Sequence, residues 1–256
     1  MKLKFIITTI ILTFVAFACE RETANNHSVN LKIIFSHKWN QTIVNNDDFN
    51  NIQFTNAFGN ELSIERLRYL VSDIKLTKNN GETILINNYS LLNLEDNNTL
   101  SISSDQNLIT GSYDNISFVL GFKNEYNIDG AYPDLNSASW NIPPMLGGGY
   151  HFMQLDGKYI NNDGNEASYN YHLIRAADNP GPNPTFPQDT FIEISLGPIS
   201  ILESGEVFIS MNIANWFDDP NLWDLNLYNQ MLMPNSMAQI MMYENGQNIF
   251  NIESIE

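Results

Sequence analysis

From residue 31 onward the chain alternates. Leu31, Ile33, Phe35 and His37 occupy one set of positions, and Lys32, Ile34, Ser36 and Lys38 the other. That two-residue period is the mark of a strand with one face buried. Runs of similar character recur at residues 66–76, 82–86, 112–122, 150–155, 168–174, 191–196 and 207–213. Polar turns separate them, among them Asn79-Asn80-Gly81, Asn162-Asp163-Gly164 and Asn179-Pro180-Gly181-Pro182. Many short strands joined by such turns predict an all-β fold, an antiparallel β-sandwich. Helical signals are few. Pro234-Asn235-Ser236 offers a cap ahead of residues 237–245, and Gly246 stands where a short C-terminal helix would stop. Residues 124–144 carry Pro133, Pro143 and Pro144, lack periodicity and read as a long loop, the kind of segment that places chemistry.

The first eighteen residues follow a different pattern. Lys2 and Lys4 precede an apolar run from Phe5 to Phe17, then Ala18 and Cys19. A membrane-spanning helix needs about 20 apolar residues, so this run is too short to cross and reads as a secretory signal. Ala16-Phe17-Ala18-Cys19 resembles a bacterial lipobox, whose Cys is acylated and becomes the mature N-terminus. The expected organisation is a signal peptide over 1–18, a lipidated polar tether over 19–30, and one domain over 31–256. No linker, composition shift or repeat divides that last segment.

Charge then narrows the partners. The chain holds 12 basic and 29 acidic residues, a formal −17, and loss of Lys2 and Lys4 with the signal takes it to −19. An acidic body is repelled by anionic headgroups, so the lipid on Cys19 would do the anchoring. The same charge argues against nucleic acid, which needs a basic face. One Cys makes no internal disulfide, and once acylated it leaves no thiol nucleophile. There is no G-x-S-x-G elbow. Gly147-Gly148-Gly149 lacks the following helix that a phosphate loop requires, and reads as a tight bend. Asn161-Asn162-Asp163-Gly164 lacks calcium-loop spacing and reads as a hairpin turn. Binding is expected, not catalysis.

Three His remain beyond the tether: His37, His151 and His172. Each falls in a predicted strand, with His151 on the face of Met153 and His172 on that of Asn170 and Ile174. Imidazole and thioether suit copper, especially Cu(I), better than oxygen-seeking Mg or Ca. The spacing forms no local ligand motif, so on the residues alone three separate core histidines, each hydrogen-bonded to backbone, are the favoured reading. Trp39, Trp216 and Trp223 read as packing residues.

Several segments together resemble the MbnP-like family, named after a protein encoded with methanobactin machinery. They are residues 31–37, Asn56-Ala57-Phe58-Gly59-Asn60, residues 67–74, Trp140-Asn141-Ile142-Pro143-Pro144, and residues 147–157. Tyr171-His172-Leu173, Asn215-Trp216-Phe217 and Asn245-Gly246 complete the series. The likeness is greatest to the lipoprotein branch found in Bacteroidetes. It implies a periplasmic or surface β-sandwich that binds copper. It also implies a Trp oxidised to kynurenine by a di-haem enzyme of the MauG-like class, whose amine joins His nitrogens around Cu(I). Carried to this chain, His37, His151 and His172 are the candidate ligands, Trp140 the candidate for oxidation, and Met153 a further sulfur ligand. Two departures stand out: the family's paired Trp is a single Trp here, and His-Leu-Gly becomes His172-Leu173-Ile174.

The expectation is a lipid-anchored copper-binding protein of the outer membrane, on its periplasmic face or the cell surface. Neutral His ligands would make affinity fall with falling pH. The rival is a non-catalytic lipoprotein adaptor or glycan-binding module using exposed aromatics and Asn. A third class is an enzyme component that needs a partner's active site. Convergence of the three imidazoles would separate the first two.

Overall fold

The computed structural model describes residues 27–256. The signal-like segment, Cys19 and the tether as far as Asn26 lie outside those residues. The strands are β1 (Ser28–Trp39), β2 (Thr42–Ile43), β3 (Phe54–Thr55), β4 (Glu61–Leu62), β5 (Arg66–Thr77), β6 (Thr83–Asn93), β7 (Ser101–Ile109) and β8 (Gly111–Tyr113). Then come β9 (Asn115–Leu120), β10 (Met153–Ile160), β11 (Glu166–Leu173), β12 (Ile192–Ser195), β13 (Ile199–Ile201), β14 (Glu206–Asn212) and β15 (Phe250–Ile255). Two helices interrupt them, α1 (Pro133–Ser137) and α2 (Ser236–Asn245). The first strand begins at Ser28, inside the segment that the sequence reads as tether.

Five strands form one sheet, with β14 and β7 beside β1, β15 beyond β14, and β2 on the far end of β1. Eight form the second large sheet, in which β5 and β10 are central and β6, β9, β11, β4, β3 and β12 flank them, while β8 and β13 pair apart as a two-stranded sheet. The two sheets close on each other through the alternating positions. From β1, Leu31, Ile33, Phe35, His37 and Trp39 turn inward, and from β14 so do Val207, Ile209 and Met211. They meet Tyr69, Val71, Leu155 and Tyr171 of the facing sheet in one apolar core. Phe35 stands edge-on to Tyr69 and to Phe118, so the core joins the two layers of an all-β sandwich.

One pairing departs from the antiparallel expectation. β1 and β14 run parallel, with Lys32 opposite Glu206 and His37 opposite Met211. Parallel neighbours need a long crossover, and here the whole eight-stranded sheet supplies it. The helix α2 begins where the cap residues predict, with Asn235 accepting from the Ala238 N–H, and it ends at Gly246.

On its outer side the eight-stranded sheet carries a smaller cluster. Leu70 alternates with Tyr69 and packs with Phe122, Leu135, Trp140 and Tyr150. The long loop and α1 are therefore folded down as a cover over one end of the sheet. Its side chains meet a face that the main core does not use.

Candidate functional site

Three consecutive glycines build the approach to the site. Gly147, Gly148 and Gly149 all take positive φ, at 100°, 67° and 79°, a region that side chains make costly. A Cβ on Gly149 would meet Asn127 Oδ1 at 2.6 Å. The bend lays residues 149–151 against 140–142. The Ile142 N–H donates to the Gly149 carbonyl at 2.8 Å, and the His151 N–H to the Trp140 carbonyl at 3.0 Å. His151 thus precedes β10 instead of lying in it, and the strand alternation that would put it with Met153 does not apply.

The His151 ring is held in one tautomer. Its Nδ1 lies 2.9 Å from the Trp140 carbonyl oxygen. A carbonyl can only accept, so Nδ1 carries the proton and Nε2 keeps its lone pair. That Nε2 is buried and has no hydrogen-bond partner among the described residues. Burial lowers the ring's pKa to about 3, against the Trp140 hydrogen bond and with help from His172, Arg68 and Arg66. The result is a neutral, fixed imidazole with an open donor atom.

His172 stands beside it, with ring centroids 5.4 Å apart and planes 83° from each other. It comes from β11, paired with Gln154 of β10, on the outer face of the sheet. Its Nε2 lies 2.7 Å from Asp156 Oδ1. Asp156 also accepts from Asn170 Nδ2 at 2.6 Å and from Arg66 Nε at 2.6 Å. Burial works to raise the Asp156 carboxyl, but His172, Asn170 and Arg66 outweigh it and hold its pKa at about 2. Beside the Asp156 carboxylate the His172 tautomer that carries its proton on Nε2 is the favoured one, and in that tautomer the Nδ1 lone pair is free for a metal. Trp140 completes the group. Its ring is 5.4 Å from His151, Arg68 lies 5.1 Å above its face, and its Nε1 is buried without a partner.

The single three-histidine site of the sequence reading does not form. His37 points into the main core, its Nε2 3.0 Å from the Tyr69 hydroxyl, its ring edge-on to Tyr69. Met153 is cross-strand partner to Tyr69 and fully buried in that same core. Strand alternation puts Met153 on the opposite face of the eight-stranded sheet from His172, and His37 reaches that inner face from β1 of the other sheet. His151, His172 and Trp140 come together; His37 and Met153 do not join them. Among the described residues, no three His, Cys, Asp or Glu side chains converge as a metal-binding group.

The comparisons agree with this architecture. The family model described as MbnP matches residues 28–241. The chain belongs to the MbnP family. A solved structure, MbnP from Methylosinus trichosporium, matches with a TM-score of 0.58 at 12% identity. The match covers 88% of this chain and 98% of that one. At that identity the likeness establishes the fold alone. No curated protein matches the sequence.

Sequence reading missed the supports of this MbnP-family site: Asp156, Asn170, Arg66 and Arg68. A signal was present, because period-2 alternation sets Gln154 and Asp156 opposite Met153. What it lacked was the register that brings Arg66 across to Asp156 and Arg68 across to Gln154. Chemically the group offers the neutral His151 Nε2 and a second imidazole in a largely dry setting, with two guanidinium groups nearby. Neutral ligands near fixed positive charge suit a soft monovalent ion better than a hard divalent one.

Proposed function

We propose that this MbnP-family protein binds copper as Cu(I) through His151 and His172, beside Trp140. Family membership suggests a copper-associated protein, and one observation carries the finer reading: the buried, unpartnered Nε2 of neutral His151, 5.4 Å from a second imidazole. A buried acceptor with no partner costs roughly 1–3 kcal/mol, and a bound soft cation would satisfy it. Copper supplies an electron acceptor for two imidazole lone pairs. The chain's own residues orient those lone pairs, through the Trp140 carbonyl on one ring and Asp156 on the other. Two of the three imidazoles adjoin, and that pairing supports metal binding over an adaptor or glycan-binding module.

Two nitrogens leave room for a third donor. Oxidation of Trp140 to kynurenine by a MauG-like di-haem partner enzyme would supply it. Its neighbour position to His151 and its unpartnered Nε1 support this part of the reading. The lipobox-like Cys19 supports a lipid anchor at the outer membrane, periplasmic or surface-facing, with binding or delivery of copper as the task.

The test is a Cu(I) titration against a chromophoric chelator, using protein purified with its haem enzyme. Wild type should take up one ion, His37→Gln the same, and a His151→Ala, His172→Ala double variant none. Equal uptake by the double variant would sink the site. Mass spectrometry of the same sample reads Trp140; a Trp140 peptide that stays unmodified removes the kynurenine.

A further inference from the structure

His172 has a second neighbourhood. Along with Asn170 it lines a cavity of about 480 Å³ whose wall also holds Met145, Met231 and Met233. The chain has 9 Met, so this one cavity gathers a third of them. They come from separate places, Met145 from the 3-10 turn Pro144–Leu146 just before the triple glycine and the other two from the segment leading into α2. Methionine usually fills gaps in cores, and Met233 does pack in part against Ile142, Leu146 and Ile174. Met145 and Met231 do not fit that role. Their exposures are 54% and 79%, and Met231 is held in a left-handed backbone at φ 57°, which is costly for a residue of its size. Apolar packing does not explain two exposed thioethers at the mouth of one cavity.

Thioether sulfur is a neutral, soft donor. It selects Cu(I) over the hard cations that the exposed Asp and Glu of this acidic protein attract without discrimination. Burial increases inward, from the exposed thioethers to largely buried His172 and then to buried His151. We infer that Met145, Met231 and Met233 form a second and weaker soft-cation site beside His172, which captures Cu(I) and passes it inward to His172 and His151. The capture site stands on the cavity alone; its role as the entrance rests on the copper reading above.

Silver(I), a redox-inert soft cation, is the probe. In protein labelled at the Met methyl carbons, Ag(I) should shift the resonances of Met145, Met231 and Met233 in wild type and in His151→Ala alike. Replacing all three by Leu keeps volume and apolarity. That variant should lose one Ag(I) equivalent and load Cu(I) from a chelator at least about tenfold more slowly, while its final Cu(I) uptake at His151 is unchanged. Unchanged Ag(I) stoichiometry in the triple variant, or no methyl shifts in His151→Ala, would overturn the capture site. Loss of the Ag(I) equivalent with an unchanged loading rate would overturn the entrance role. If the His151→Ala, His172→Ala protein holds Cu(I) against the chelator as tightly as wild type while the triple Leu variant loses its Ag(I) equivalent, the copper reading falls and the Met site stands.

Discussion

His37 and His151 begin from the same chemistry and end in different surroundings. Both are buried, burial lowers the pKa of each to about 3, and each has one ring nitrogen without a partner. The eight-stranded sheet lies between them. On its inner side His37 meets the Tyr69 phenol and aromatic rings, with no second imidazole in contact. On its outer side His151 meets a second imidazole and an indole with two guanidinium groups nearby, and that second imidazole, His172, lines a cavity with three thioethers. Burial and neutrality therefore do not mark a metal ligand. What distinguishes the outer site is company: a second imidazole, a carboxylate that favours one tautomer of it, and a way in from solvent.

The comparison breaks most visibly in stability. If His37 is a core residue, His37→Ala opens a cavity and strands the buried Tyr69 hydroxyl, at a cost of about 3 kcal/mol. Urea unfolding should show this as a lower midpoint with an unchanged slope. His172→Ala, at the edge of a solvent-reaching cavity, should cost less than half as much. Equal losses would mean that the two faces are not structurally different.

Acid offers the next test. An unfolded His titrates near 6.5, while folded His37 titrates near 3. Between those values the unfolded chain binds the extra proton, so His37's contribution is complete above pH 6.5 and is lost as pH falls toward 3. From pH 6.5 to 5 wild type should lose about 2 kcal/mol more than His37→Gln. His151 shifts in the same direction but is present in both proteins, so it cancels in the difference. Parallel stability curves would show that His37 is protonated in the fold and reachable by water.

Much of the fold was legible because it is written in short range. β1, β5 and the β10–β11 hairpin follow from alternation and from the turn at Asn161, whose carbonyl and side chain accept from Gly164 and Asp163. α2 follows from Asn235 and Gly246. β7 was missed because of its nine residues only Ile102, Ser104 and Leu108 are buried, so no clear hydrophobic period survives. β15 escaped for the same reason, with Phe250 its one buried residue. The candidate site was half legible. His151, His172 and Trp140 could be named, but three left-handed glycines between Trp140 and His151 reset which side the chain presents. Alternation could not foresee that; it did set His37 on the buried face of β1 with Leu31, Ile33 and Phe35, but not that a sheet would stand between it and His151. Asp156 and Arg66 stand 90 residues apart in sequence, and only register unites them.

The smallest expected effect tests the support of the outer site most closely. Asp156→Asn preserves shape but replaces the carboxylate facing His172 Nε2 with an amide. The amide holds no charge for Arg66 and fixes the His172 tautomer less firmly. Partners of this kind are worth about 10- to 100-fold in metal affinity; with Asn170 still in place, a loss near the low end is expected, about tenfold for Cu(I). The stoichiometry should stay at one ion, because both imidazoles remain. His37 offers the control: Tyr69→Phe removes the hydroxyl that partners its ring among the described residues, and should lower stability while leaving Cu(I) affinity alone. If Asp156→Asn binds as tightly as wild type and Tyr69→Phe binds more weakly, the metal is held on the inner side of the sheet, and the assignment of the two faces must be exchanged.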